Sequence, residues 1–471
     1  MSLKGKKKQP SSQSENNKME KIVSLCKRRG FIFPSSEIYG GLSSSYDYGP
    51  LGVELKNNIK KEWWKEMVQQ RDEIVGLDSA ILMHPKIWEA SGHLEGFTDP
   101  LVDCKFCKKR FRADHLLETK SIKPEFQPAT SLKKDDNKCP ECGGELTKVR
   151  NFNLMFKTFM GVLEDKSAQI YLRPETAQGI YVNFESIRLT TNKKIPFGIA
   201  QIGKAFRNEI TPGNFIFRTR EFEQMEMQYF IHPKEAAKYF EYWKKQRLEW
   251  YINLGLNRKN LKYREHQKNE LAHYAKVAWD IEYNFPFDQS ELEGIHNRGD
   301  FDLSRHQQYS GKDLKVLDEE TKKEYLPHII ETSGGIDRSL LAFLVDAYTE
   351  IEGGRTTTTK STKEMEVVLK LDKRLAPVKI AVLPLSKKEN LEKVSQEIYT
   401  KLSQQYMCHY DSTQAIGRRY RRQDEIGTPY CVTVDFDSLE DKKVTVRDRD
   451  TMKQERIAIA EIMDYFINKL N

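Results

Sequence analysis

The spacing of apolar residues changes along the chain and so predicts its elements. Residues 53–70 carry apolar residues at every fourth position, which predicts a buried helix. These residues are Leu55, Ile59, Trp63 and Met67. Residues 199–230 predict two strands joined by a loop, IAQIGKAFRNE and FIFRTREFEQMEMQYF. Residues 329–350 predict a turn followed by a helix.

Shifts in this pattern predict the domain organisation. Residues 1–20 are polar and rich in lysine, which predicts a disordered basic tail. Residues 21–370 form the main predicted domain, and within it residues 100–150 lose apolar periodicity, as in a small insert. Residues 372–471 alternate strand and helix patterns, which predicts a separate α/β domain.

Composition narrows the class of protein. The 471 residues are 38% hydrophobic and 31% charged, as expected for a soluble globular protein of several domains. We find neither an apolar run of about 18 residues nor an apolar segment at the N-terminus, so we expect no membrane span and a cytoplasmic location. The net charge of +8 is compatible with a nucleic-acid partner but does not establish one.

Two cysteine pairs lie inside the predicted insert. Cys104 and Cys107 form one C-x-x-C pair, and Cys139 and Cys142 form the other. Four thiolates suit a tetrahedral structural Zn²⁺ and leave no open position for catalysis. The alternative is four reduced cysteines without a metal.

The second predicted strand presents chemically distinctive residues at alternate positions, which places them on one face. They are Arg218, Arg220, Phe222, Gln224 and Glu226, and the sequence Arg207-Asn208-Glu209 ends the preceding strand. The opposite face is core-like, with Phe217, Met225 and Met227. Guanidinium groups and a ring suit the phosphates and base of a nucleoside triphosphate, although a solvated face is the alternative. We find no Walker or G-x-G-x-x-G run, so the phosphates would not be held by either loop.

A second candidate segment runs from Glu331 to Arg338, with the sequence ETSGGIDR. Glycines allow a backbone to approach a ligand closely, and Arg338 opens the following predicted helix. The alternative is a simple glycine turn before a helix.

Together these segments resemble motifs 2 and 3 of the class II aminoacyl-tRNA synthetases. The tryptophan-rich helix leading to Pro85 resembles motif 1, the dimer-forming element. Longer segments resemble the glycyl-tRNA synthetases of the homodimeric type, over about residues 21–471. These segments are YDYGPLGVELKNNIKKEWW, EASGHLEGFTDPLVDC, LRPETAQGIYVNF and EFEQMEMQYF.

The resemblance implies an α+β catalytic domain, with an antiparallel sheet flanked by helices, over residues 21–370. It also implies a zinc-ribbon-like insert at 100–150 and an α/β anticodon-binding domain at 372–471. The implied activity is ATP-dependent attachment of glycine to tRNA(Gly) through glycyl-adenylate. The alternatives are a class II synthetase for another amino acid and a non-catalytic paralogue that binds tRNA or another nucleic acid.

The resemblance also implies residue roles. Arg207 and Arg338 are the implied catalytic residues. ATP, with Mg²⁺, is expected at Arg207, Asn208, Glu209, Phe217, Arg218, Arg220, Phe222, Glu291, Leu292, Gly335 and Arg338. Glycine is expected at Arg112, Glu175, Gln224, Glu226, Arg298, Glu331 and Ser333. Ser333 is expected to form a wall of the glycine site that excludes larger amino acids. Thr332 stands where the family usually has proline, so this wall could be less rigid than in the family.

The expected macromolecular partners are tRNA(Gly) and a second copy of the chain. The homodimer would form through the motif 1 region. Guanidinium planes suit unstacked bases, so the run Gly417–Arg422 favours contact with the anticodon, and a solvated helix face is the alternative. The arginines concerned are Arg418, Arg419, Arg421 and Arg422.

Overall fold

The computed structural model describes residues 12–113, 116, 138–210, 212–267, 270–271, 275–353, 355 and 365–470. The helices are α1 (Ser12–Arg29), α2 (Pro50–Trp64), α3 (Lys86–Ala90), α4 (His93–Gly96), α5 (Ala177–Val182), α6 (Phe184–Thr191), α7 (Ala236–Asn253), α8 (Phe301–Ser310), α9 (Ile336–Ala347), α10 (Glu389–Ser403), α11 (Ile416–Ile426), α12 (Asp437–Asp441) and α13 (Ile462–Leu470). Across these described ranges, no helix combines the length and apolar character needed to span a membrane.

The strands complete the element list. They are β1 (Ile32–Pro34), β2 (Tyr46–Tyr48), β3 (Ile74–Gly76), β4 (Thr98–Asp103), β5 (Arg110–Arg112), β6 (Arg150–Asn153), β7 (Lys157–Phe159), β8 (Gln169–Tyr171), β9 (Phe197–Phe206), β10 (Glu221–Ile231), β11 (Leu261–Glu265), β12 (Val277–Asn284), β13 (Gln289–Gly299), β14 (Val316–Leu317), β15 (Glu324–Tyr325), β16 (His328–Gly335), β17 (Tyr348–Ile351), β18 (Glu366–Leu369), β19 (Ile380–Pro384), β20 (Cys408–Tyr410), β21 (Tyr430–Val434), β22 (Lys443–Asp448) and β23 (Gln454–Ala458).

A seven-stranded sheet organises the large domain, in the order β11-β12-β13-β16-β10-β9-β3. Neighbouring strands are antiparallel except for β3 and β9, which are parallel. Tyr229 and Phe230 are adjacent on β10 and belong to two different hydrophobic cores, because adjacent residues of a strand face opposite sides. Helices α2, α7 and α9 cover the larger core, and α5 and α8 contribute to the smaller one.

The predicted helix at 53–70 is confirmed as α2, followed by a π-helical turn at Lys65–Gln69. The tail predicted for residues 1–20 is wrong in its C-terminal part, because α1 begins at Ser12. One side of α1 packs against the large core through Ile22, Leu25 and Cys26, and this packing stabilises the helix. Residues 1–11 lie outside the described residues.

The turn predicted near residue 329 is also wrong. Residues 328–335 form β16, which lies between β10 and β13 in the sheet and runs directly into α9. Thr332 pairs with Met227 on one side and Ile295 on the other. Two strand partners hold the neighbouring Ser333 in place, so the segment does not need a proline for rigidity.

The insert and the C-terminal domain are separate smaller units. The insert contains a three-stranded sheet in the order β5-β4-β6. The C-terminal domain has a mixed five-stranded sheet, β20-β19-β21-β22-β23, with α10 and α13 on one face and α11 on the other. Its helix α11 also meets the large domain, where Glu425 forms ion pairs with Arg28 and Arg29 of α1.

Candidate active site

A cavity of about 260 Å³ opens on one face of the large sheet. Its walls come from β10, β13, β16 and the start of α9, together with the connection before β10. Its lining residues are Glu175, Arg207, Glu209, Ile216, Phe217, Arg218, Thr219, Phe222, Gln224, Glu226, His266, Asp280, Glu291, His296, Arg298, Glu331, Ser333, Gly335, Asp337 and Arg338.

Strand β10 forms one wall by simple alternation. Phe222, Gln224 and Glu226 face the cavity, whereas Met225 and Met227 lie in the core on the other side. This part of the sequence prediction is confirmed. The strand is central in the sheet, so backbone pairing with β9 and β16 on both sides fixes the direction of these side chains.

Basic and aromatic side chains cluster at one end of the cavity. The Arg207 guanidinium carbon lies 5.3 Å from the ring centres of both Phe97 and Phe222. The guanidinium carbon of Arg338 lies 4.4 Å from the centre of the Phe217 ring, and its Nη1 lies 2.9 Å from Glu291 Oε2. Planar cations held against rings in this way suit phosphate and base recognition.

Three glutamates line the opposite end, and they differ in the partners that balance their charge. Glu331 accepts hydrogen bonds from His296 Nδ1 at 2.7 Å and from Gln228 Nε2 at 2.9 Å. It also pairs with Arg298 Nη1 at 3.1 Å. Burial raises the pKa of Glu331, but Arg298 and His296 outweigh burial and lower it to about 2. Glu331 therefore carries a charge that the protein already neutralises.

Glu226 has polar but neutral partners. It accepts hydrogen bonds from Ser333 Oγ at 2.7 Å, from Gln224 Nε2 at 2.9 Å and from Thr176 Oγ1 at 2.5 Å. Burial, followed by the charges of Glu331 and Glu175, raises the pKa of Glu226 to about 7. Across the described part of the chain, no cation forms an ion pair with this carboxylate, although the charge of Arg173 acts on it.

Glu175 lies between these two cases. Its Oε1 accepts a hydrogen bond from Gln178 Nε2 at 2.9 Å, and its Oε2 lies 3.5 Å from His93 Nε2. Burial raises the pKa of Glu175, but His93 and the charge of Arg298 outweigh burial and lower it well below its usual range.

Four residues predicted to bind ligands lie elsewhere. Arg220 donates to the backbone oxygens of Glu209 and Ser43, because residues 215–217 form a three-ten helix and the strand alternation begins only at residue 221. Leu292 is buried in the large core. Arg112 pairs with Asp99 at 2.9 Å, and Asn208 uses its backbone N–H to bind the Leu154 oxygen. None of these four is among the described residues that line the cavity.

Several lining residues were not predicted from the sequence. His296 lies two positions before Arg298 on β13, so strand alternation from Arg298 was a signal that pointed to it. His266 follows β11, and Asp280 lies on β12. The distance between His266 Nε2 and Asp280 Oδ2 is 2.7 Å. Their meeting depends on strand pairing, which no local pattern reveals.

The four cysteines of the insert come together as predicted. Their sulfurs all lie within 4.8 Å of one another, with 3.5 Å between Cys104 and Cys142 and 3.7 Å between Cys107 and Cys139. Four sulfurs about 2.3 Å from a zinc ion would be separated by about 3.8 Å. A Cβ on Gly144 would lie 3.2 Å from Cys104 Sγ, so a residue without a side chain belongs there. The donor set and spacing fit Zn²⁺.

The four arginines of α11 do not share one role. Arg419 is buried and donates to the backbone oxygens of Pro384, Leu385 and Asp411, so its assignment to anticodon contact is wrong. A helix turns about 100° per residue, which directs Arg419 inward and leaves Arg418 exposed. Arg422 pairs with Asp411.

The comparisons with known proteins agree with this architecture. The family described as the class II tRNA synthetase core domain (G, H, P, S and T) matches residues 157–348, and the anticodon-binding domain family matches residues 379–469. A prolyl-tRNA synthetase from Cryptosporidium parvum, solved with L-proline and AMP, shares the fold with a TM-score of 0.61 at 15% identity. The alignment covers 95% of this chain and 77% of that one. The chain has the fold of a class II aminoacyl-tRNA synthetase.

The closely similar curated relatives narrow the class. The glycine–tRNA ligase of Treponema denticola is 57% identical over 446 residues, which cover 94% of this chain and 95% of that protein. That of Thermobifida fusca is 53% identical over 462 residues, which cover 97% and 99%. The chain belongs to the glycine–tRNA ligase family.

Proposed function

We propose that this cavity joins glycine to ATP and then transfers the glycyl group to tRNA(Gly). In the first step, a carboxylate oxygen of glycine attacks the α-phosphorus of ATP, the bond to the β-phosphate breaks, and pyrophosphate leaves. In the second, a hydroxyl of the terminal ribose of tRNA attacks the carbonyl carbon, AMP leaves, and the hydroxyl proton is released. Positioning and charge stabilisation dominate such displacements. The main support is β10, which carries Phe222 at the basic end of the cavity and Glu226 at the acidic end.

The basic end of the cavity suits ATP. Arg207 is the candidate for the α-phosphate, where negative charge grows in the first step, while Arg218 and Arg338 suit the outer phosphates. Glu209 Oε2 is buried and accepts no hydrogen bond from the described residues, so it suits a donor such as the adenine amino group. Glu291 offers a half-exposed carboxylate to Mg²⁺, which would neutralise phosphate charge.

The acidic end suits the glycine ammonium group. Glu331 is balanced by Arg298 and His296, whereas the donors to Glu226 among the described residues are all neutral. Gln224 Oε1 is buried and accepts no hydrogen bond from the described residues, so it is a further acceptor for the ammonium group. A cationic ligand would therefore supply the charge that Glu226 lacks.

Selectivity for the smallest amino acid would come from steric exclusion. Ser333 is held by its hydrogen bond to Glu226 and by strand pairing on both sides of β16. This rigid wall next to the ammonium site would meet the β-carbon of alanine or serine. Repulsion is needed because one extra methyl group in a permissive pocket changes binding by only about 1–3 kcal/mol.

The cysteine cluster is proposed as a structural Zn²⁺ site that holds the insert together. Metal analysis of the purified protein is expected to find about one zinc per chain. Cys107→Ser should lower that ratio and expose the insert to proteases, whereas Cys408→Ser, which changes a cysteine of the C-terminal domain, should not affect it. A full-length wild-type protein purified without chelator and lacking zinc would contradict this site.

The C-terminal domain is proposed to bind the anticodon, and the α2 region is proposed to form a homodimer. Arg418 is exposed on α11, and Val53 on α2 and Leu82 before α3 are exposed apolar residues that a second copy could cover. Analytical ultracentrifugation should find a dimer, and Val53→Asp with Leu82→Asp should weaken it. A monomeric wild-type protein would argue against the dimer.

The decisive test of the reaction is ATP–pyrophosphate exchange dependent on an amino acid, followed by charging of tRNA. Glycine should support exchange, and alanine and serine at the same concentration should not. Exchange with alanine or serine but not glycine would point to another synthetase. No exchange with any amino acid, combined with retained tRNA binding, would favour a non-catalytic role.

A further inference from the structure

The short helix α4 lies against both ends of the cavity. It begins at His93, which is close to Glu175, and it is followed by Phe97, which is close to Arg207. Neither His93 nor Phe97 lines the cavity. Any effect of these residues on a ligand must therefore pass through the side chains that they contact.

His93 is held in one orientation. Its Nδ1 lies 2.7 Å from Ser91 Oγ, and its ring packs edge-on against Trp88 at a centre distance of 5.6 Å. This arrangement directs Nε2 towards Glu175 Oε2, at 3.5 Å. His93 is thus placed to set the position of Glu175.

Phe97 has the matching position at the other end. Its ring centre lies 5.3 Å from the Arg207 guanidinium carbon, the same distance as that of the Phe222 ring. Arg207 Nε donates to the Pro174 oxygen at 3.0 Å, which leaves its remaining donors for a ligand. Phe97 therefore limits the side-chain movement of Arg207.

The insert holds α4 in place. Asn153, at the end of β6, donates through Nδ2 to the backbone oxygens of His93 and Leu94, each at 3.0 Å. The next residue, Leu154, donates its N–H to the Phe97 oxygen and accepts from the N–H of Asn208. The strand that leaves the insert thus ties α4 to the backbone next to Arg207.

We propose that His93 and Phe97 are positioning residues with separate targets: His93 orients Glu175 for glycine, and Phe97 orients Arg207 for ATP. This inference rests on the proposed function of the cavity. Its specific claim is that His93, the first residue of α4, and Phe97, the residue that follows α4, affect different substrates.

The test is steady-state exchange kinetics for His93→Ala, His93→Gln and Phe97→Leu, with Glu95→Ala, an exposed position of α4, as the matched control. His93→Ala should raise KM for glycine by about three- to tenfold and leave KM for ATP within about twofold. Gln retains an N–H donor, so His93→Gln should recover most of the loss. Phe97→Leu should raise KM for ATP by about three- to fivefold. The Phe97 and His93 rings lie 5.4 Å apart, and Leu keeps an apolar contact with His93, so KM for glycine should stay within about twofold.

The outcomes separate this inference from the proposed function. If wild-type protein shows no glycine-dependent exchange, the proposed function fails. If the wild type is active but both variants raise both KM values equally, or lower only kcat, α4 has a general structural role and the inference is wrong. Circular dichroism melting curves identify variants that have lost folding. If His93→Ala is one of them, His93→Gln provides the deciding kinetics, and if Phe97→Leu is one of them, Phe97→Tyr, which keeps a ring at this position, takes its place and should leave KM for ATP close to that of the wild type.

Discussion

The cavity and helix α11 both concentrate charged residues, but they balance the charges differently. In the C-terminal domain, Asp424 pairs with Arg447 at 2.8 Å and with Arg355 at 2.5 Å. In the cavity, Glu226 accepts hydrogen bonds from Ser333, Thr176 and Gln224, and no cation among the described residues forms an ion pair with it.

This difference shows how to separate structural charges from functional ones. A buried charge costs several kcal/mol unless a partner compensates it, so an acid that lacks a cation implies a ligand that brings one. Arginines follow the same rule. The Nη1 and Nη2 groups of Arg419 donate to backbone oxygens. In Arg207, by contrast, Nε donates to a backbone oxygen, and the guanidinium lies close to the rings of Phe97 and Phe222.

The largest expected effect comes from removing the cavity arginine. Arg207→Ala should reduce kcat/KM for exchange by about 10³-fold or more, close to 4 kcal/mol, because charge at the α-phosphate loses its partner. Binding of tRNA should change little. The control is Lys204→Ala, an exposed position on β9. If exchange persisted in Arg207→Ala, Arg207 would not be a functional charge of the cavity.

Removing the buried arginine of α11 should lower the stability of the protein. Arg419→Ala should destabilise the C-terminal domain by about 2–4 kcal/mol, because three backbone oxygens lose a buried donor. Thermal denaturation of the full chain should show a lower Tm, with exchange retained at low temperature. A normal Tm with weakened tRNA binding would instead place Arg419 at the tRNA surface.

The pH dependence of glycine binding tests the uncompensated acid. The pKa of Glu226 is about 7, above its usual value, so the group is charged above pH 7 and increasingly neutral below it. The ammonium group favours the charged form, so KM for glycine should rise by about tenfold between pH 8 and pH 6. KM for ATP serves as the control. A glycine KM that stays constant over this range would show that Glu226 is charged at pH 6 before glycine binds.

The smallest expected effect concerns the outer side of α11. Arg418→Ala should raise KM for tRNA by about two- to fivefold without changing exchange, because an exposed guanidinium loses only its contact with the nucleic acid. The salt dependence of binding should weaken at the same time. An unchanged KM for tRNA would show that Arg418 does not contact the tRNA.

The sequence predicted the features that follow from local periodicity. The α2 stripe, the β10 wall and the cysteine pairs depend on spacing within a segment, and each was found. The errors arose where distant segments decide the outcome. β16 was mistaken for a turn because its glycines are local signals, while its two strand partners are distant in sequence.

Side-chain direction was the second source of error. Arg220 continued the alternation of β10 on paper, but a three-ten helix precedes the strand and turns this residue towards Ser43. Leu292 follows Glu291 and was assigned with it, although adjacent strand residues face opposite sides. His93 and Phe97 had no local signal at all, since their targets lie about 80 to 110 positions further along the chain.

Strand β16 enters α9 without an intervening loop, and this continuity has a consequence for accuracy. Ser333 lies only three residues before the first residue of the helix. A shift of α9 would therefore also displace Ser333. Enlarging or emptying the core beneath α9, for example with Leu341→Ala, should therefore admit alanine into the cavity before it slows the reaction with glycine. Fidelity in this enzyme family would then depend on the packing of an interior that no substrate touches.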